Sequence, residues 1–284
     1  MSDIGLAHLS LLHLEPDELV RVAAAAGYDF VGIRVRGATP AERIADLSPG
    51  SSMSRAVLAA LDETGLRVED IEFLALDGNV GRETWMPMLE AGAALGARSL
   101  TVAGVDPDEA RLTAALSELV GDARGFGILP AIEPISYNAV SSVSHATRIA
   151  RAAGAGVLLD PLHLRRADTP ADVLAELAAA PDSATIVRML QLCDAPFATP
   201  EALVIDGPLP RGMTADGEPR KVESRALRLP PGEGDLPLAE MLALFADRPV
   251  GLEVPNGPLA VRLGDVGYAR LLHERTRELI VGAA

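Results

Sequence analysis

The chain has one cysteine, Cys193, so an internal disulfide and a zinc site built on several cysteines are both excluded. Aromatic residues are scarce, at 3%. Basic residues are outnumbered, 25 Lys and Arg against 40 Asp and Glu, and the net charge of −15 opposes nonspecific binding to nucleic acid or to an anionic membrane. The acidic residues are spread along the chain, as on a solvated surface. No run approaches the ~18 apolar residues of a membrane span. The opening stretch, MSDIGLAHLSLLHLEPDE, has no basic segment ahead of its apolar residues and is interrupted by histidines, unlike a secretory signal. A soluble cytoplasmic protein is expected, with no nucleic-acid or membrane partner. Against these absences stands a hydrophobic content of 49%, enough for a large core.

Strand-like and helix-like segments alternate throughout. Strands are expected at 4–9, 29–36, 67–76, 98–103, 127–133, 156–160, 185–193 and 249–254. Helices are expected at 16–26, 54–64, 85–95, 107–124, 142–153, 170–180, 237–246 and 259–281. Pro16 suits a first helical turn, and Gly27, Gly65 and Gly96 suit helix ends. Eight such units argue for a parallel α/β architecture. In 284 residues they favour one (β/α)8 barrel, a fold of roughly 250 residues, over an open doubly wound sheet. The open sheet would need a glycine-rich fingerprint after its first strand to bind a nucleotide, and His8 and a leucine-rich stretch follow instead. The expectation is therefore a single domain over 1–284. One connection, 195–236, is too long for an ordinary loop. It follows the seventh strand, on the catalytic side of such a barrel, and is read as a lid or substrate loop. A mobile insertion, above all over 208–222, is the alternative.

Four polar residues end four successive apolar runs: Glu133 in GILPAIEP, Asp160 in AGVLLDP, Gln191 in IVRMLQLCD and Glu253 in RPVGLEVPN. Residues at strand ends in a parallel barrel point into a common mouth. Alternation supports that direction. Ile128, Pro130 and Ile132 share one face and Glu133 the other, Val157 and Leu159 oppose Asp160, and Val250, Leu252 and Val254 oppose Glu253. Burying a carboxylate without a partner costs several kcal/mol. A shared divalent cation would remove that cost, and three carboxylates and an amide form an oxygen donor set for one. Taken singly, each residue reads better as a plain strand-end turn residue; the case rests on four in register.

The segments AAAAGYDFVGIR, AIEP, LLDPLHLRR, LQLCD, RLPPGEGDLPL and GLEVPN, in this order and spacing, resemble the xylose isomerase-like superfamily of TIM barrels over nearly the whole chain. That superfamily includes sugar isomerases and epimerases and the inosose and 3-dehydroshikimate dehydratases. The resemblance implies that Glu133, Asp160, Gln191 and Glu253 bind one divalent metal, manganese ahead of magnesium, cobalt or zinc. It also implies that His163, three residues past the metal-binding aspartate, contacts a substrate oxygen, and that Arg228 binds substrate from the late loop, with Arg225 as its rival. Many epimerases and isomerases of the superfamily carry histidine where this chain has Gln191. A neutral amide oxygen favours manganese or magnesium over zinc. Glutamine there is similar to the dehydratases.

The expected chemistry is proton abstraction next to a metal-bound carbonyl through an enediolate, with Glu133 and Glu253 as the acid/base pair and His163 beside them. The substrate is a small polyhydroxylated sugar or polyol. Returning the proton gives an isomer or an epimer, whereas expelling a β-hydroxyl gives dehydration, so a lyase acting on a cyclic hydroxyketone is the second reading. A non-catalytic sugar-binding or partner subunit is the third. Endonuclease IV, in the same superfamily, is disfavoured by only five histidines and an acidic chain. Arg34 and Arg36, on the inner face of the second strand, offer guanidinium forks for a carboxylate or phosphate, with an ion pair to Glu72 as the structural alternative. His8, near the end of the first strand, is a further candidate substrate contact, beside Arg36. Trp85 reads as a packing anchor and Cys193 as a small apolar residue. Oligomeric state is left open, a homo-oligomer included.

Overall fold

The computed structural model describes residues 2–201, 203–205, 209–215 and 218–283. Eight parallel strands close into a barrel in sequence order. They are β1 (Ile4–Leu6), β2 (Phe30–Arg34), β3 (Arg67–Leu76), β4 (Ser99–Gly104), β5 (Leu129–Glu133), β6 (Gly156–Leu159), β7 (Val187–Leu192) and β8 (Val250–Leu252). The helices are α1 (Pro16–Ala26), α2 (Ser52–Thr64), α3 (Arg82–Ala94), α4 (Glu109–Ala123), α5 (Val143–Ala153), α6 (Pro161–Arg166), α7 (Ala171–Ala179), α8 (Ser183–Ile186), α9 (Pro219–Ala226), α10 (Leu238–Leu244), α11 (Gly257–Leu263) and α12 (Asp265–Ala283). The expected (β/α)8 barrel is the observed fold. Among the described residues no helix is long and apolar enough to cross a membrane.

The expected alternation also holds. Val31, Ile33, Ile132, Val157, Leu159, Val250, Leu252 and Val254 all join the large core between strands and helices. Their inward neighbours Phe30, Ala131, Leu158 and Met189 form a separate cluster inside the barrel. Phe30 fills that space because β1 leaves room for it: a Cβ on Gly5 would lie 2.0 Å from the Phe30 ring. With the interior closed off by these side chains, any cavity must lie above them, at the strand ends.

Three short elements escape the periodic pattern. The α6 helix follows Asp160 directly, and Asp160 itself caps it, accepting from the Leu162 amide at 2.8 Å. The α8 helix is a single turn. The α9 helix lies inside the long connection, where charge and proline hide any apolar stripe. The expected final helix is two, α11 and α12, parted at Gly264.

Candidate functional site

The four strand-end residues do converge, and all four are buried. The local chain explains each: β5, β6, β7 and β8 all end within one residue of the polar residue, whose apolar neighbours are fixed in the outer core. Arg228 stands among them. It is 2% exposed, and its guanidinium lies 2.5 Å from Asp160 Oδ2 and 2.9 Å from Glu253 Oε2. Gln191 Nε2 donates to Glu253 Oε1 at 2.7 Å. The flipped amide would set two oxygens against each other there. Two acceptors are left over: Glu133 Oε1 and Gln191 Oε1 are buried with no hydrogen-bond partner.

That shortage of donors shows in the protonation equilibria. Burial pushes the Glu133 carboxyl well above its ordinary range, and the nearby charges of Glu253 and Asp160 push it further. Burial raises Glu253 to about 7, with Arg228 pulling the other way. His163 is lowered to about 4, chiefly by burial, and is neutral at physiological pH. Its Nδ1 is 3.2 Å from Ser136 Oγ and its Nε2 is 3.9 Å from Glu133 Oε1. Glu133, Asp160 and His163 each bring a ligand atom within 4.8 Å of the other two, the right types and spacing for a divalent ion. Unpartnered buried oxygens and carboxylates forced toward protonation are what a cation relieves, so the residues fit a metal. The geometry adds His163 to the expected donors and gives Gln191 a second task, orienting Glu253.

The cleft above these residues is small, about 40 Å³, and its walls include Glu133, His163, Arg228, Glu253, Arg34 and Glu72. Arg34 is spoken for: its guanidinium lies 2.7 Å from Glu72 Oε2 and 3.2 Å from Glu42 Oε1, the structural ion pair rather than a free fork. Two expectations are corrected. Arg36 is exposed and does not line the cleft, because β2 ends at Arg34 and the inward alternation ends with it. His8 is buried beside Arg34 and also stays out of the cleft. Its Nε2 meets the Leu14 carbonyl at 3.1 Å, and its Nδ1 accepts from the Arg34 amide at 3.2 Å. Both ring nitrogens hold backbone, so none is left for a ligand.

The long connection is built into the site. Asp194, just past β7, accepts from the amides of Ala195, Leu236 and Gly232 at 2.8, 3.1 and 2.9 Å. The PPGEGD turn therefore wraps one carboxylate. Gly234 is required there, since a Cβ would lie 2.4 Å from Asp194 Oδ1. This turn and the Asp194–Leu229 bridge fix the segment carrying Arg228. On the other side, Arg166 of α6 forks onto Glu223 of α9 at 2.7 and 2.6 Å, both buried. Ser224 meets the Tyr137 hydroxyl at 3.0 Å, and Arg220 donates to the Ser136 carbonyl at 2.8 Å. The described part of 195–236 thus forms a cover over the mouth. Of the stretch 208–222, residues 208, 216 and 217 lie outside the described residues. Glu42 and Glu223 carry no signal in the sequence, being lone acids in loop-like stretches whose partners, Arg34 and Arg166, lie 8 and 57 residues away.

Residues 20–272 match the xylose isomerase-like TIM barrel family, and the chain belongs to it. No curated protein sequence matches the chain. Solved structures with the same fold include the IolI protein with a zinc atom, at a TM-score of 0.72 and 16% identity, covering 99% of each chain. D-Allulose 3-epimerase from Methylomonas sp. superposes at 0.65 and 14% identity over 98% of this chain and 96% of that one. The 3-keto-D-glucoside 4-epimerase of E. coli superposes at 0.64 and 14% over 96% of this chain and 100% of that one. At such identities the likeness is one of fold, and function rests on the site.

Proposed function

We propose that the chain is a divalent-metal-dependent isomerase or epimerase of a sugar or sugar-like polyol. The observation that carries this reading is the placement of two carboxyl groups, Glu133 on β5 and Glu253 beyond β8, on one buried mouth beside donor atoms spaced for a divalent ion. A buried carboxylate within reach of the carbon next to a polarised carbonyl is suited to take up and give back a carbon-bound proton. Two epimerases in the same fold, and a zinc atom in another protein of that fold, support it.

Glu133, Asp160, Gln191 and Glu253 would hold the metal. Manganese leads, with magnesium, cobalt or zinc as alternatives, because most of these donors are oxygens. A bound cation polarises the substrate carbonyl and makes the neighbouring C–H acidic. Glu253, oriented by the Gln191 amide, moves the proton on one side of the substrate and Glu133 on the other. Neutral His163 faces a substrate oxygen. Arg228, held by Asp160 and Glu253, binds an oxygen of the substrate while the cover keeps water out.

Elemental analysis of protein purified without chelator tests this. About one divalent ion per chain is expected, lost in Glu133→Ala. Incubation with ketoses in D2O should then place deuterium at the carbon next to the carbonyl. A chain that binds no divalent ion, and shows no thermal stabilisation by manganese, would overturn the reading in favour of a non-catalytic binding subunit. If cyclic hydroxyketones instead give the ultraviolet absorbance of a conjugated enone, the enzyme is a dehydratase.

A further inference from the structure

The cleft over Glu133 and Glu253 holds about 40 Å³, room for a few waters at roughly 10–15 Å³ each and well short of the ~300 Å³ at which ligand pockets begin. Beside it lies a second cavity of about 590 Å³, within the range of ligand pockets. The two adjoin, because Leu9, Met213 and Arg225 line both. The larger one has mostly apolar walls, with His13, Arg225, Asn256 and Asp265 among them. Leu9, Leu12 and Met213 form a buried cluster of their own with Leu209 packed on it, away from the main core, and Pro258 and Val261 of α11 line the cavity as well. Val204 and Val261 stand at its edge, 78% and 86% exposed, although each is a large apolar side chain.

We infer that this cavity is the second half of the substrate site, and that the substrate is a hydroxycarbonyl compound carrying an apolar group. The inference rests on the functional reading above. The polar head reaches the Glu133 and Glu253 carboxyls, and the apolar group extends past Leu9 and Met213 into the larger cavity. A small free sugar would leave these walls facing water, whereas an apolar substituent would cover them. Specificity for the substituent then resides in the loop after β1, the long connection and α11, none of which supplies the proton-transferring residues. Arg225, on the shared wall, is among the described residues the one cationic side chain lining both cavities, and it suits an oxygen at the junction of head and substituent.

The test is calorimetric titration with dihydroxyacetone, its 1-O-benzyl ether and benzyl alcohol, with and without manganese. The variant is the double substitution Val204→Asp, Val261→Asp, at two exposed positions outside the catalytic cleft. Wild type should bind the benzyl ether at least roughly tenfold more tightly than dihydroxyacetone, as burial of an aromatic ring predicts. The variant should reduce that preference to about twofold, with dihydroxyacetone affinity unchanged. No preference for the benzyl ether in wild type, including no binding at all, overturns the proposal, as does a preference unaltered in the variant. Metal bound without a benzyl preference removes this inference and leaves the catalytic reading standing. A benzyl preference in a chain that binds no metal does the reverse.

Discussion

Arg228 is the residue on which the mouth depends before any metal arrives. Two buried carboxylates, Asp160 and Glu253, share its guanidinium, and the Glu253 backbone carbonyl accepts from it at 3.1 Å. Removing one partner of a buried ionic group leaves the others uncompensated and typically costs about 3–5 kcal/mol. Arg228→Gln should therefore lower the stability of the metal-free protein by about that much in denaturant unfolding. It should also gain more from added manganese than wild type does, since the cation then takes over the neutralising charge. Equal stabilisation of the two proteins by manganese would show that Arg228 and the metal do not share these carboxylates. Glu253→Gln removes a proton acceptor without removing bulk. Deuterium incorporation into substrate should fall at least about a hundredfold, the usual scale of general-base catalysis, with the fold retained by circular dichroism. Incorporation at the wild-type rate would exclude Glu253 as the base.

Among the elements, the connection 195–236 separates this chain from a bare barrel. Its described residues are held by Asp194 within the PPGEGD turn, the Arg166–Glu223 pair and the α9 contacts to Tyr137 and Ser136. Gly234→Ala forces a Cβ to within 2.4 Å of Asp194 Oδ1 and 2.5 Å of the Ala195 carbonyl, and the latter is backbone that cannot step aside. Overpacking of this kind costs typically about 1–3 kcal/mol. The strain falls locally, so protease cleavage within 195–236 should accelerate more than global unfolding does. Cleavage at the wild-type rate would mean that the turn does not set the position of the cover.

Across the barrel, buried ionisable groups set opposing pH trends. His8 and His163 are both lowered to about 4, chiefly by burial. For His8 the cause is also visible in its bonds, since a proton on Nδ1 would face the Arg34 amide hydrogen. A depressed histidine contributes stability that is full above its ordinary value of 6.5 and is lost as pH falls toward 4. Glu253 acts in the opposite sense. Raised from 4.5 to about 7, it contributes stability that is full below 4.5 and is lost as pH rises through 7. Between these limits the two trends partly cancel. In chelator, Glu253→Gln should make the melting temperature climb more steeply with pH from 4.5 to 7 than in wild type. An unchanged slope would show that Glu253 is not held in its protonated form by the fold.

Much of this was present in the linear pattern. Alternation along each strand put Ile132, Leu159 and Leu252 in the outer core, which left Glu133, Asp160 and Glu253 one direction to point. Periodicity of two for strands and 3.6 for helices is local, and so the eight units and the strand-end polar residues could be read from neighbours in sequence. What could not be read depends on distance through space. His8 and Arg36 were both candidates for a ligand, yet one is consumed by two backbone groups and the other falls past the end of its strand. Glu42 and Glu223 carry no local signal, because their meaning comes from Arg34 and Arg166, brought to them by chain closure. The same is true of the apolar cavity, whose walls come from the β1 loop, the long connection and α11. Local periodicity selected the barrel and the direction of its polar strand ends. Which charges pair, which ring nitrogens are spent and what shape of molecule the mouth admits were settled by contacts between residues far apart in the chain.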